Sequence, residues 1–298
     1  MADMKSLRLQ PDTIFAGRYR VIRLLGQGSM GSVYLVEEAP GGALRALKVM
    51  SPDLLHDAIF VARFTQEAQV SRGIASKHVV AVVASGVDET YQLPWFAMEH
   101  LEGLDLTQWL DARPPLERAM AVALLAQLFD AMSAAHDAAV VHRDLRPDNI
   151  FVAQQGGRPT LKVLDFGVAK VVRESTAGGT APGLGAPLWA APEQATRGPI
   201  LPSADVWALG LIAFRLLTGK MFWKSANIES ASPLEIALEL LRIPIPSASS
   251  RAREIEVEDR LPSGFDAWFA KAVVRDRSQR FPTARAAWGA LAPLLARG

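Results

Sequence analysis

The sequence predicts an α+β fold in two parts, a smaller strand-rich part followed by a larger, mainly helical one. Three observations predict it. Short apolar runs of β type, separated by turns, recur from Tyr19 to Met98 around a single helical stretch. Beyond Gly103 the apolar residues fall at helical spacing over long stretches. The octet His142-Arg143-Asp144-Leu145-Arg146-Pro147-Asp148-Asn149 interrupts that helical part. It reads as a polar loop between two β-type runs, Val140-Val141 and Ile150-Phe151-Val152, and its apolar flanks anchor it as a place for chemistry.

Composition excludes several classes of function. The 298 residues fit one large domain or two lobes sharing a cleft. A net charge of +1 argues against a nucleic-acid binder driven by phosphate electrostatics. With no cysteine there is neither a disulfide framework nor a thiolate metal site. The first ten residues carry Asp3, Lys5 and Arg8 and lack an apolar signal core. Gln127, Asp130 and Arg215 break the most apolar helical stretches, so none reads as a membrane span and no membrane contact is expected within this chain. The chain reads as soluble and cytoplasmic, and is compatible with excision from a longer, membrane-anchored parent.

Residues 1–18 read as an N-terminal extension. A strand over 19–25 leads into Gly26-Gln27-Gly28-Ser29-Met30-Gly31-Ser32-Val33, and a strand follows. Glycines so spaced let backbone approach a phosphate, because no Cβ intervenes. The plain alternative is a flexible hairpin tip. A helix would have to follow for a dinucleotide fingerprint, so a hairpin closing over phosphates fits better. Pro40-Gly41-Gly42 makes the next turn, and 44–50 is a strand holding Lys48 between Leu47 and Val49. That lysine either snorkels to solvent or sits in a cleft. Residues 51–75 are helical, with Phe60, Phe64, Glu67, Ala68 and Ser71 on one stripe. A carboxylate on that stripe is costly unless a cation meets it, and Lys48 is the natural candidate; the alternative is a boundary glutamate facing water. Strands over 79–83 and 95–98 precede Glu99-His100-Leu101-Glu102-Gly103, a short connector that reads as a hinge.

Past the hinge, 104–110 is a short helix and 116–139 a long apolar one, read as core. Gly156-Gly157 turns the chain into a strand over 161–164, which ends at Asp165-Phe166-Gly167. Within the octet Asp144 can take a proton from an attacking hydroxyl. Asn149 offers a hard carbonyl oxygen suited to Mg²⁺, and Arg146 a permanent cation for an anionic group. Asp165, at a strand end before a glycine, can also reach a metal. Taken alone the octet is also compatible with a charged surface turn; the order of the remaining motifs decides.

That order runs Gly26-x-Gly28-x-x-Gly31-x-Val33, Ala46-Leu47-Lys48, Glu67, His142-Arg143-Asp144 with Asn149, Asp165-Phe166-Gly167 and Ala191-Pro192-Glu193. Asp205 in Asp-Val-Trp-Ala-Leu-Gly and Arg280 in Arg-Phe-Pro-Thr-Ala complete it. From Tyr19 to about Leu294 the chain resembles the eukaryotic-type (Hanks-type) serine/threonine protein kinases, and its texture resembles their bacterial members. The resemblance implies the bilobal protein-kinase fold. A small antiparallel lobe with one helix and the hinge would span 19–101, a larger helical lobe 102–298, with an ATP cleft between them. It implies ATP with Mg²⁺ or Mn²⁺ and transfer of the γ-phosphoryl group to protein serine or threonine hydroxyls. Self-association for trans-autophosphorylation is implied with it.

Roles follow from the same resemblance. Gly26, Gln27, Gly28, Ser29, Gly31 and Val33 would cover the nucleotide phosphates, with Ala46 beside the nucleotide. Lys48 would bind the α- and β-phosphates and pair with Glu67. Glu99 and Leu101 would present backbone to adenine behind Met98. Asp144 would be the base, assisted by Arg146, with Asn149 and Asp165 on the metal. Arg143 would receive a phosphate carried by Ser175, Thr176 or Thr180. Glu193 would pair with Arg280, and Asp205 would brace the loop from a core helix over 204–217. Lys48 and Asp144 belong to no evident hydrophobic core. Two positions depart from the family: Arg146 stands for lysine, and Ala186 in Gly185-Ala186-Pro187-Leu188-Trp189 for threonine. The expectation is that Arg146 fills the space beside Ala186 and contacts Asp144 and the phosphoryl group together. A weakly active or inactive ATP-binding scaffold is the alternative. A small-molecule phosphotransferase is a third class, against which Ala191-Pro192-Glu193 and Arg280 count.

Overall fold

The structure, a computed structural model, describes residues 8–155, 157–166, 188–196, 198–228, 231–241 and 243–297. The chain divides into two compact units, Met1–Glu102 and Gly103–Gly298.

The first unit is a six-stranded antiparallel sheet with one α-helix. Its strands are β1 (Ile14–Phe15), β2 (Tyr19–Gly28), β3 (Gly31–Glu38), β4 (Ala43–Met50), β5 (Val82–Val87) and β6 (Pro94–Glu99), in the order β1-β2-β3-β4-β6-β5. The sequence reading starts the sheet at Tyr19; the structure starts it at Ile14, where β1 pairs with Tyr19 and Arg20. A two-residue strand carries too little alternation to be seen in a sequence. It matters nonetheless, because Phe15 and Leu9 are buried with Tyr19, Tyr34 and Trp95.

Register sorts the sheet into two faces. Val33 and Phe96 both lie opposite Lys48, while Leu35 and Met98 lie opposite Ala46. Opposed residues point the same way, so Val33, Ala46, Lys48, Phe96 and Met98 share a face. Tyr34, Leu47, Val49, Trp95 and Ala97 take the other and build its core. Helix α1 (Ala58–Gly73) packs on the Lys48 face, where Phe64 meets Phe96 at 5.1 Å between ring centroids. Burying Phe64 contributes about 1.5–3 kcal/mol to this packing. The buried residues of α1 are Phe64, Glu67, Ala68 and Ser71, one helical stripe. The helix is shorter than the 51–75 expected. Pro52–Leu54 forms a separate 3-10 turn, and Asp57 caps α1 by accepting from the Ile59 N–H at 2.9 Å.

The second unit is mainly helical. It contains β7 (Gly103–Asp105), α2 (Leu106–Asp111), α3 (Arg118–Asp137), β8 (Ile150–Gln155), β9 (Arg158–Val163) and α4 (Ser203–Thr218). After these come α5 (Pro233–Leu241), α6 (Ala248–Glu254), α7 (Phe265–Ala272) and α8 (Ala284–Ala296). The strands form an antiparallel sheet ordered β7-β8-β9. Every residue of α4 is buried, so this helix is the centre of the unit. Phe214 on α4, Phe222, and Phe269 on α7 pack with ring centroids 4.6–6.0 Å apart. Helix α3 is long and apolar enough by length and composition to cross a membrane. Here it packs against α8, β9 and α4, and its Gln127 side chain accepts the Leu161 N–H at 2.7 Å.

Val140-Val141 forms no strand. Ala139 takes a left-handed conformation, φ +58°, and the Val140 N–H returns to the Ala135 carbonyl at 2.9 Å. These residues close the C-terminus of α3 and leave no backbone for a ladder. The octet therefore joins a helix end to β8, not one strand to another.

Candidate active site

In the first unit the sheet face described above carries Val33, Ala46, Lys48 and Met98 together. Lys48 Nζ lies 2.6 Å from Glu67 Oε1, with the two side chains 12% and 7% exposed. Neither of the plain alternatives, snorkelling lysine or solvent-facing glutamate, describes them. The Lys48 ammonium also stands 5.4 Å from the centre of the Phe96 ring, an added attraction for a cation. Gly26, Gln27, Gly28 and Ser29 are exposed at the hairpin tip. The glycines there differ in purpose. A Cβ at Gly26 would meet nothing within 4 Å, and at Gly28 only the Gly31 carbonyl at 3.9 Å. At Gly31 it would lie 2.0 Å from the Val49 carbonyl oxygen. Gly31 is required by the close approach of β3 to β4, and the open space belongs to the other two. In the connector, the Glu99 N–H donates to the Ala81 carbonyl at 2.9 Å, and the Glu99 carboxylate accepts the Ala81 N–H at 2.8 Å. The Glu99 N–H is thereby spent within the unit. Leu101 follows half-buried. A cavity of 340 Å³ in this unit is lined by Leu24, Tyr34 and Val49, so it opens on the face opposite Lys48.

In the second unit Asp205 organises the octet. Its carboxylate accepts the His142 N–H at 2.8 Å and the Arg143 N–H at 2.9 Å. It also meets His136 Nε2 at 2.9 Å, while His136 Nδ1 accepts the Ala284 N–H at 3.0 Å. An Nδ1 that accepts leaves the ring proton on Nε2, so His136 donates to Asp205. His142 has the same tautomer: Nδ1 accepts the Asp144 N–H at 3.3 Å, and Nε2 donates to the Leu164 carbonyl at 2.9 Å. Its ring packs on Phe166 at 4.9 Å between centroids. Arg143 is held at φ +66°, a left-handed conformation that non-glycine residues rarely adopt.

Asn149 Nδ2 donates to the Asp144 carbonyl at 2.8 Å and to Asp144 Oδ2 at 3.2 Å. Asp165 is exposed at the end of β9, at φ +47°. The structure thus brings Asp144 and Asn149 together and places Asp165 two residues beyond β9, the strand paired with β8. It does not bring Arg146 to Asp144. Both Arg146 Nε, at 2.8 Å, and its terminal nitrogen, at 2.7 Å, engage Asp148 Oδ2. Here the planar fork is spent on the exposed carboxylate of Asp148, two residues along, where the expectation put it on Asp144 and the phosphoryl group. Ala186, Ser175, Thr176 and Thr180 lie outside the described residues, as does Gly167.

Glu193 and Arg280 form a two-pronged ion pair, 2.6 and 2.8 Å, with the Arg280 side chain wholly buried. Arg280 also donates to the carbonyls of Val274, Ser203 and Arg275. Two residues were missed by the sequence reading. His136 carries a weak signal, a histidine in the last turn of an apolar helix beside no visible partner. Gln194 carries a stronger one, since it stands three residues after Ala191 at the start of a Pro-containing turn, the position from which a side chain reaches back to a cap.

The family model of the protein kinase domain matches residues 19–288. The chain belongs to the protein kinase family. It is 32% identical over 92% of its length to the probable serine/threonine-protein kinase PknB of Lactococcus lactis. It is 37% identical over 78% of its length to the serine/threonine-protein kinase Pkn1 of Myxococcus xanthus. It spans 41% and 33% of the length of those two proteins. Among solved structures it matches the kinase domain of Mycobacterium tuberculosis PknI with a TM-score of 0.69 and 26% identity, over 97% of this chain and all of that one. The α+β kinase fold and the bacterial serine/threonine kinase kinship expected from the motifs stand on these matches.

Proposed function

We propose that this kinase domain transfers the γ-phosphoryl group of ATP to serine and threonine hydroxyls of proteins, its own among them. The observation that carries the reading is the Asp144–Asn149 pair. Asn149 donates to both the backbone carbonyl and Oδ2 of Asp144, which ties the carboxylate that would serve as base to a residue carrying a hard oxygen ligand. Asp144 then accepts the hydroxyl proton as the oxygen bonds to the γ-phosphorus and the bridge to the β-phosphate breaks, releasing ADP. Lys48, steadied by Glu67, would hold the α- and β-phosphates, and Gly26 and Gly28 offer backbone without Cβ atoms in the way. Gln27, Ser29, Val33, Ala46, Met98, Glu99 and Leu101 complete the nucleotide contacts.

Asn149 and Asp165 offer hard oxygen ligands of the kind Mg²⁺ or Mn²⁺ takes. Among the described residues no group of three His, Asp or Glu side chains makes a metal site by itself, so the nucleotide phosphates and water would supply the other ligands. When bound, the ion would offset negative charge on the phosphate oxygens. ATP as donor makes the cytoplasm the site of reaction, and protein substrates or a second copy of the chain the partners. Arg143, half-buried as a residue, would receive a phosphate on Ser175, Thr176 or Thr180.

A scaffold of low turnover is the second reading, favoured by the engagement of Arg146 with Asp148. Incubation with γ-labelled ATP and Mg²⁺, followed by phosphosite mapping, separates them. Label on serine or threonine that falls by about 10²–10⁴ in Asp144→Asn supports transfer. Nucleotide binding with no label in the wild type would leave only the scaffold.

A further inference from the structure

Arg143 is strained, and only one of the groups that hold it lies in α4. Its N–H is fixed by Asp205 Oδ1 at 2.9 Å. Its carbonyl, the first half of the peptide that leads into Asp144, accepts from Gln194 Nε2. The other end of the same carboxamide, Oε1, accepts the Ala191 N–H at 2.9 Å. A donor at one end and an acceptor at the other fix the orientation of this amide without ambiguity. Gln194 lies in the 3-10 turn Pro192–Ala195, and that turn is anchored in turn, because Glu193 is locked to the buried Arg280. The line Arg280, Glu193, Gln194, Arg143 carbonyl therefore ends at the peptide bond of Asp144.

We propose that Gln194 is a positioning residue: it holds the Arg143–Asp144 peptide in its left-handed bend and so aims the Asp144 carboxylate. The inference rests on the reading of Asp144 as the base. Without the amide donor, the carbonyl is free to rotate, and the strained bend at Arg143 relaxes toward common backbone angles. Asp144 then leaves the alignment that proton transfer needs, while Lys48, Glu67 and the glycine hairpin, all in the first unit, are untouched.

Two substitutions of nearly equal size test this. Gln194→Met removes both hydrogen bonds. Gln194→Glu keeps an acceptor for Ala191 but turns a carboxylate oxygen on the Arg143 carbonyl. The expected order of kcat is wild type, then Gln194→Met, then Gln194→Glu, with a loss of at least about tenfold in the last. KM for ATP and the Kd of Mg·ATP, read by a binding assay that needs no turnover, should stay within twofold. Equal kcat in all three proteins overturns the proposal. So does a loss that tracks Tm or the Kd of Mg·ATP, and so does failure of both variants to fold, since each makes Gln194 a structural residue. A wild-type enzyme that binds Mg·ATP and never transfers phosphate defeats the kinase reading itself, which is a different result.

Discussion

At the scale of single residues, burial decides which charges matter. Lys48 and Glu67 pair at 2.6 Å with side chains 12% and 7% exposed, so this contact sits in low dielectric. Removing one partner of such a pair leaves a poorly solvated charge. Lys48→Met is therefore expected to abolish phosphoryl transfer and also to destabilise the protein by about 3 kcal/mol. Sequence reasoning, seeing no core around Lys48, expects no loss of stability. Replacing the pair together, Lys48→Met with Glu67→Leu, should restore most of the stability and none of the turnover, as seen by urea denaturation beside a kinase assay. A double variant as unstable as the single one would mean that the pair is not the source of the cost. Arg146 is the opposite case. Its fork meets Asp148, 42% exposed, and exposed pairs contribute about 1 kcal/mol or less. Arg146→Ala should leave unfolding free energy within that margin, so any fall in kcat it causes reports on catalysis alone. A stability loss of several kcal/mol would show that Arg146 has a structural duty not visible in its contacts.

At the scale of elements, the three glycines of the hairpin separate by what surrounds them. Gly31→Ala would drive a Cβ to within 2.0 Å of the Val49 carbonyl oxygen. That atom belongs to the backbone of β4 and cannot swing away, so β3 must lift from β4. A loss of several kcal/mol is expected, as for other overpacked backbone contacts. Gly26→Ala meets nothing within 4 Å and should leave Tm nearly unchanged while raising KM for ATP. Thermal melts and ATP titrations of the two variants check the pair, and equal melting temperatures would refute the distinction. Much of this level was legible in the sequence. The strand–glycine–strand order, the helical stripe bearing Glu67 and the apolar helix around Asp205 are all strong periodic or spaced patterns. What was not legible depends on long-range register: β1, the loss of the Val140-Val141 strand to the cap of α3, and the clash that makes Gly31 obligatory. In the candidate site, the octet that brings Asn149 to Asp144 was legible as a motif. His136 and Gln194 were not, because their partners lie 69 and 51 residues away and only the fold brings them close.

At the scale of the whole molecule, charge is nearly balanced, 32 basic against 31 acidic residues, and stability against acid depends on how individual carboxylates are held. The Arg45 guanidinium, at 2.8 Å and with Arg18 beside it, holds Glu38 below the usual carboxylate range. Arg285 does the same for Asp137. The N–H and hydroxyl of Ser232 lower Glu235, and the hydroxyl and N–H of Ser278 lower Asp276. A carboxyl whose pKa falls on folding contributes stability above its unfolded value, about 4, and loses it as pH drops through the folded value. These four groups therefore give a stability that is level from neutral pH down to about 5 and declines below about 4. Glu38 ties β3 to β4 and is the least exposed of the ion-paired ones, so it offers the cleanest test. Glu38→Gln should lower unfolding free energy at pH 7 by about 1 kcal/mol or less, and added salt should shrink the gap. As pH falls through the depressed folded pKa the wild-type carboxyl becomes protonated and resembles the amide, so the gap between the two denaturation curves should close on acidification below about 4. A gap that neither narrows on acidification nor shrinks with salt would mean that Glu38 acts through packing and not through its charge.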